Sequence, residues 1–130
     1  MNIGQAAESS GVSAKAIRYY ETAGLVAPAG RSDGGYRVYH ADDVRILRFI
    51  RRARDLGFSI ERTRRLLDLW RNGGRASAEV KRLALDHIAE IDGKIAALVT
   101  MRNAVHELAD GCDGDHRPDC PILRDLEGER

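Results

Sequence analysis

Apolar side chains recur at three- and four-residue spacing along most of this 130-residue chain, and glycine, proline or asparagine interrupts them at intervals. The periodicity predicts four short helices, over 3–9, 14–23, 42–56 and 60–71. The first two are joined by a tight turn at Gly11-Val12, which is typical of a helix-turn-helix motif. The apolar sides of the third and fourth helices are expected to be Ile46, Phe49, Ile50, Ala53, Leu66, Leu67 and Trp70.

Residues 25–40 break this helical pattern. Proline and glycine exclude a continuous helix there, whereas Tyr36, Val38 and Tyr39 favour strand. A turn at 33–35 between two short strands predicts a small hairpin, which would form a wing beside the helix-turn-helix.

A much longer helix is predicted from Ala78 to Ala109, where Gly93 is the only glycine and proline is absent. Seven of the eight heptad a and d positions are apolar, which is typical of a coiled-coil seam. No other predicted element is long enough to cover this stripe, so we expect antiparallel pairing with a second copy in a homodimer. Packing of the helix back onto its own N-terminal domain is the alternative. The eight positions are Ala84, Ile88, Ile91, Ile95, Leu98, Arg102, Val105 and Ala109.

The predicted fold class is therefore mainly α, with an N-terminal winged helix-turn-helix followed by a long antiparallel coiled-coil dimerisation helix. The expected divisions are a DNA-binding domain, a hinge, the dimerisation helix, a metal-binding loop and a flexible tail, at 1–71, 72–78, 79–109, 110–123 and 124–130.

Charge is distributed unevenly along the chain. The net charge is +1, but residues 1–75 carry +6 and residues 76–130 carry −5. A basic half joined to an acidic half suggests a polyanion-binding module attached to a part with another task. No apolar run reaches the roughly 18 residues of a membrane span, and no signal peptide is recognisable. We expect a cytoplasmic protein whose two cysteines are reduced.

The second helix carries the first set of candidate functional residues. Lys15, Arg18, Tyr19 and Thr22 share one face, and a basic, hydrogen-bonding face on this helix suits readout of the DNA major groove. The hairpin adds Arg31, Tyr36 and Arg37, which are placed to contact the neighbouring DNA backbone. Ordinary solvated charges are the alternative interpretation. Weaker candidates for phosphate contacts are Arg45, Arg48, Arg51, Arg52 and Arg54.

Cys112 and Cys120 bracket seven residues that include glycine and proline, so the segment can bend around one soft metal ion. Two thiolates are too few for a structural zinc site but suit a monovalent ion such as Cu(I). His116 could add a nitrogen ligand, and two unrelated loop cysteines are the plainer alternative. No arrangement of residues supports an enzyme.

The stretch from Ala16 to Glu61, AIRYYETAGLVAPAGRSDGGYRVYHADDVRILRFIRRARDLGFSIE, resembles the N-terminal signature of the MerR family of bacterial transcription regulators. The MNI start, the cysteine spacing and the DCPI sequence are similar to its copper-efflux branch. In that branch the two cysteines bind Cu(I) linearly and accept Ag(I) and Au(I). Members that sense divalent ions have a cysteine where this chain has Ser77. Departures from the branch in the tail and loop interior leave the choice among the three monovalent ions open.

The resemblance implies a dimer that occupies a two-fold promoter operator with or without metal. Metal binding would make it distort the DNA so that RNA polymerase engages both promoter elements. Two other functions remain open from the residues. One is a redox switch through a Cys112–Cys120 disulfide, and the other is a metal-buffering protein with incidental DNA binding.

Overall fold

The computed structural model describes residues 1–72, 77–112, 114 and 120–128. Backbone contacts divide the chain into two compact units, Met1–Leu83 and Ala84–Arg130. The described residues are mainly helical, with one two-stranded antiparallel sheet, which confirms the predicted fold class. The elements in chain order are α1 (Ile3–Ser10), α2 (Ala14–Thr22), β1 (Gly30–Arg31), β2 (Arg37–Val38), α3 (Ala41–Asp55), α4 (Ile60–Arg71), α5 (Ser77–Asp110) and α6 (Pro121–Leu126).

The helix-turn-helix is fixed by the caps that the sequence predicts. Asn2 and Gln5 form a reciprocal capping box, with the Gln5 amide donating to Asn2 Oδ1 at 2.8 Å. Gly11 ends α1 in the left-handed region at φ 75°. Ser13 then starts α2, because its hydroxyl accepts from the Ala16 amide at 3.1 Å.

The core of the first unit lies between α1, α2, α3 and α4. Its largest fully buried side chains include Tyr39, Ile17, Leu47, Ile50 and Leu67. The buried face differs from the predicted one by about a quarter-turn of α3. Buried positions there are Val44, Leu47, Ile50 and Ala53, whereas Ile46 and Phe49 are half-buried and Trp70 of α4 is exposed.

The displaced aromatic residues form a contact of their own at the edge of this core. The rings of Phe49 and Trp70 stack with centroids 4.7 Å apart, and the Arg45 guanidinium lies over Trp70 at 5.4 Å. Helical spacing therefore did not distinguish the side chains that are fully buried in the core from those at its partly exposed edge.

The predicted hairpin is confirmed and forms the wing, residues 30–38. Gly30 pairs with Val38 and Arg31 with Arg37. The connecting turn closes through the Gly35 amide, which donates to the Ser32 carbonyl at 2.8 Å, with Gly35 at φ 81°. Glycine is suited to this position because a side chain strains a positive φ.

The long helix α5 begins at Ser77, one residue before the predicted helix start and inside the predicted hinge of 72–78. Glu79 in its first turn accepts from Arg65 Nε of α4 at 2.8 Å, and this contact lies within the first unit. An acidic residue near a helix N-terminus is favourable, so the helix is stabilised at this end. Within the second unit, the predicted seam residues Ile88, Ile91, Ile95, Leu98 and Val105 are exposed on the single chain.

A short helix, α6, spans the predicted boundary at 123–124 between the metal-binding loop and the tail. Pro121 occupies its first turn, where proline is well tolerated, and the Arg124 amide bonds to the Cys120 carbonyl at 3.0 Å. Most of the predicted loop interior, including His116, lies outside the described residues, as do 129–130. No helix in the described parts of the chain is long and apolar enough to cross a membrane.

Candidate nucleic-acid interface and metal centre

The structure presents the predicted face of α2 to solvent. Lys15, Arg18, Tyr19 and Thr22, the α2 face, are all exposed, with Tyr19 at 54%. Ile17 on the opposite side is fully buried, which fixes the rotation of the helix. Two cationic side chains and a phenol on this face are therefore accessible to a polyanion.

The wing presents two further candidates. Tyr36 is 76% exposed next to the turn, and Arg31 is exposed on β1. Arg31 Nη1 donates to the Gly35 carbonyl at 2.9 Å, so the guanidinium lies along the turn. Both side chains are suited to hydrogen bonding with phosphate oxygens.

Arg37 is placed differently from the other predicted DNA-binding residues. Its Nη1 donates to Glu21 Oε2 at 2.7 Å, and Tyr39 Oη donates to the other oxygen, Oε1, also at 2.7 Å. The hydrogen bond to Tyr39, followed by the charge of Glu21, raises the pKa of the Arg37 guanidinium. This nitrogen is therefore engaged within the fold, and sequence reasoning missed the partner. The available signal was Glu21, four residues after buried Ile17 and so on the inner side of α2.

Four of the five arginines of α3 make side-chain contacts within the protein. Arg48 Nη2 donates to the Ser9 carbonyl at 2.8 Å, where it covers the end of α1. Arg54 Nη1 donates to the Phe58 carbonyl at 2.6 Å. Arg45 and Arg51 form exposed pairs with acidic residues of the same helix. Arg48 and Arg54 are thus engaged within the fold. The exposed pairs of Arg45 and Arg51 leave those side chains at the surface.

Both cysteines lie at helix ends in the second unit. Cys112 follows α5, with its amide donating to the Ala109 carbonyl at 3.1 Å, and Cys120 is the N-cap residue of α6. Both are free thiols and half-buried. Within the described ranges, no group of three or more His, Cys, Asp and Glu side chains gathers as a metal site. Among the described residues of this segment, the soft donors are the two thiols of Cys112 and Cys120.

Ser77 is the first residue of α5 and is exposed. It lies beside an apolar cavity of about 460 Å³ in the first unit. The other lining residues are Phe49, Leu66, Leu69, Trp70, Val80 and Lys81. A hydroxyl at this position offers no thiolate to a metal.

Comparison with known families decides the class of this protein. Residues 1–70 match the model for the MerR HTH family regulatory protein, and residues 44–108 match the model described as MerR, DNA binding. The chain belongs to the MerR family. It is accordingly a DNA-binding transcription regulator and not an enzyme, as the sequence predicted.

Relatives within the MerR family cover nearly the whole chain. The heavy metal-dependent transcription regulator 2 of Rhizobium meliloti (strain 1021) is 56% identical over 126 residues, 97% of this chain and 86% of the relative. The regulator CueR of Escherichia coli O157:H7 is 44% identical over 128 residues, 98% of this chain and 95% of the relative. Among solved structures, the regulator PbrR691 from Ralstonia metallidurans CH34 in complex with lead(II) superposes with a TM-score of 0.84. It is 30% identical, covering 97% of this chain and 98% of that one.

Proposed function

We propose that this MerR-family protein is a cytoplasmic regulator that responds to Cu(I) through Cys112 and Cys120 and activates a copper-efflux promoter. Ag(I) and Au(I) are soft monovalent ions of the same class, and we expect the site to accept them as well. The observation that carries the proposal is the pair of free, half-buried thiols at the ends of α5 and α6.

The donor chemistry favours a monovalent ion. Thiolates are soft ligands that select Cu(I), and a closed tetrahedral zinc site needs four donors. Ser77 supplies no third sulfur. Relatives named for heavy-metal dependence, and one bound to lead(II), support a metal as the signal without identifying which one.

The DNA-binding part of the proposal rests on exposed residues of the first unit. The α2 face would read the major groove, while Arg31 and Tyr36 of the wing would hold the adjacent backbone. Pairing of two α5 helices would set the separation of two half-sites. Metal must bind the activating conformation more tightly than the repressing one, since only such a difference can shift the equilibrium. The activated dimer would distort the promoter for RNA polymerase.

The first experiment measures the metal site itself. The 130-residue protein is titrated anaerobically with Cu(I) against a strong Cu(I) chelator, with Cys112→Ser as the variant and Zn(II) as the comparison metal. We expect the wild type to compete for Cu(I), the variant to fail, and Zn(II) to bind negligibly. Equal Zn(II) binding, or no competition for Cu(I), would contradict the proposal.

The second experiment separates metal sensing from DNA binding. In the Cys112→Ser/Cys120→Ser double variant, we expect loss of copper-induced transcription with operator affinity largely unchanged, because the thiols lie outside the DNA-binding unit. A redox switch instead predicts activation by an oxidant and no response to copper under reducing conditions. Loss of DNA binding in the double variant would count against both mechanisms.

A further inference from the structure

The carboxylate of Glu21 joins α2 to the wing. Its Oε2 accepts from Arg37 Nη1 and its Oε1 from Tyr39 Oη, each at 2.7 Å. Arg37 Nη1 also lies 3.4 Å from Tyr39 Oη, so the three side chains close a ring of polar contacts. We call Glu21, Arg37 and Tyr39 the wing-base triad.

Two of the three side chains of the triad are buried, and Arg37 is partly exposed. The Glu21 side chain is only 7% exposed and Tyr39 is 1% exposed. A buried carboxylate is tolerated when its oxygens are hydrogen-bonded and a cation is close, and both conditions are met here. Glu21 lies on α2 one turn beyond Ile17, on the inner side, so it is not itself a member of the exposed α2 face.

The two ends of the triad belong to elements with different tasks. Tyr39 is anchored to the body of the first unit, because its amide donates to the Met1 carbonyl at 2.7 Å and its ring lies in the core. Arg37 belongs to β2, where it pairs directly with Arg31 of β1. Because β1 is paired with β2, holding Arg37 in place also restricts the position of Arg31 and the rest of the wing.

We propose that Glu21 is a positioning residue for DNA binding. Through Arg37 and Tyr39 it fixes the wing relative to α2, so that both elements meet one duplex in a single geometry. The inference rests on the proposed function, which assigns backbone contacts to Arg31 and Tyr36. Holding two contact elements in a productive geometry before binding reduces the ordering that association requires.

The variant Glu21→Gln tests this role with little change of shape. Its amide oxygen can still accept from Tyr39, but its amide nitrogen cannot accept from Arg37. The substitution also removes one negative charge, which by itself favours binding to a polyanion. We nevertheless expect operator affinity to fall by about tenfold, within the range of measured couplings between contacting residues.

Asp42→Asn is the matched control. It removes the same charge from an exposed pair with Arg45 of the same helix, α3, whose atoms lie 3.3 Å apart. We expect its operator affinity to be unchanged or slightly higher. Thermal unfolding of each variant protein shows which variants are folded at the assay temperature.

A double-mutant cycle distinguishes positioning from general destabilisation. Operator affinity is measured for Glu21→Gln alone, in an Arg31→Ala/Tyr36→Ala background, and in an Arg18→Ala background. If Glu21 positions the wing, its effect shrinks to less than about twofold when the wing contacts are already absent. It remains near its full size beside Arg18→Ala, since that contact belongs to the other element.

An equal loss in both backgrounds would overturn the positioning role while leaving the proposed DNA contacts intact. No loss in Glu21→Gln would do the same. If Arg31→Ala/Tyr36→Ala binds the operator as well as the wild type, Arg31 and Tyr36 do not contribute to DNA binding. The positioning role of Glu21, which depends on those contacts, is then overturned as well. Should Glu21→Gln prove unfolded, Arg37→Met, which removes the cation from the triad, enters the same cycle with the same expectations.

Discussion

At the scale of single residues, the buried phenol of Tyr39 links stability to pH. Burial, followed by the hydrogen bond to Glu21, raises the pKa of Tyr39 above its ordinary value of 10.0. The folded state therefore favours the protonated phenol. The resulting contribution to the free energy of unfolding is fully present below pH 10. It is lost as pH rises through the folded pKa, because the folded protein then resists an ionisation that the unfolded chain permits.

We therefore expect the free energy of unfolding in urea to fall more steeply above pH 10 for the wild type than for Tyr39→Phe. The comparison cancels titration of the other groups that the two proteins share. Parallel curves for the two proteins at high pH would show that Tyr39 is not under this restraint.

Ser77 carries a second prediction at this scale, on metal selectivity. Ser77→Cys adds a soft donor without lengthening the side chain, so we expect a gained transcriptional response to Zn(II) or Cd(II). Ser77→Ala is the control and should retain the wild-type preference, because it adds no ligand. If Ser77→Cys responds to copper alone, residue 77 does not determine selectivity.

Individual side chains also show where sequence reasoning ends. Exposure of Lys15, Arg18 and Tyr19 followed from helical spacing, which is a local property. The partner of Arg37 did not, because Glu21 lies 16 residues away and on another element. Whether a strand arginine faces DNA or a buried carboxylate is decided by tertiary packing, which spacing alone does not contain.

At the scale of elements, two glycines have opposite roles. Gly11 ends α1 at φ 75°, and a Cβ there would overlap Nη1 of Arg51. Gly93 lies within α5, and a Cβ there would meet no other atom within 4 Å. We expect Gly11→Ala to lower the free energy of unfolding by about 1–2 kcal/mol, and Gly93→Ala to raise it by about 0.5–1 kcal/mol. Chemical denaturation of both variants measures these changes. If both substitutions shifted the free energy of unfolding in the same direction, the opposite roles of the two glycines would be contradicted.

Element boundaries were predictable where a cap marks them. Asn2, Ser13 and Ser59 begin α1, α2 and α4 as expected, each with its side chain accepting from a backbone amide. α6 was missed because six residues are too few to show a helical period. The start of α5 was placed late because the Arg65–Glu79 contact that stabilises it joins two helices across the chain.

At the scale of the whole molecule, the exposed stripe on α5 indicates a second copy of the chain. Ile88, Ile95, Leu98 and Val105 are each more than half exposed, at the a and d positions of one seam. Solvating such a row of large apolar side chains is unfavourable, and mutual burial in a coiled coil removes it from water. The heptad pattern made this surface predictable from sequence, whereas the assembly that covers it is still a proposal.

Ile95→Asp tests the homodimer directly. A charge at the centre of the seam would be desolvated on pairing, so we expect sedimentation at micromolar concentration to shift from dimer to monomer. Ala97→Asp is the matched control, because it places the same charge on α5 at a position that is neither a nor d, and it should remain dimeric. The monomer should also lose most of its affinity for a two-fold operator, because each DNA-binding unit then engages a half-site alone. A wild-type chain that sediments as a monomer would instead favour packing of α5 against its own first unit.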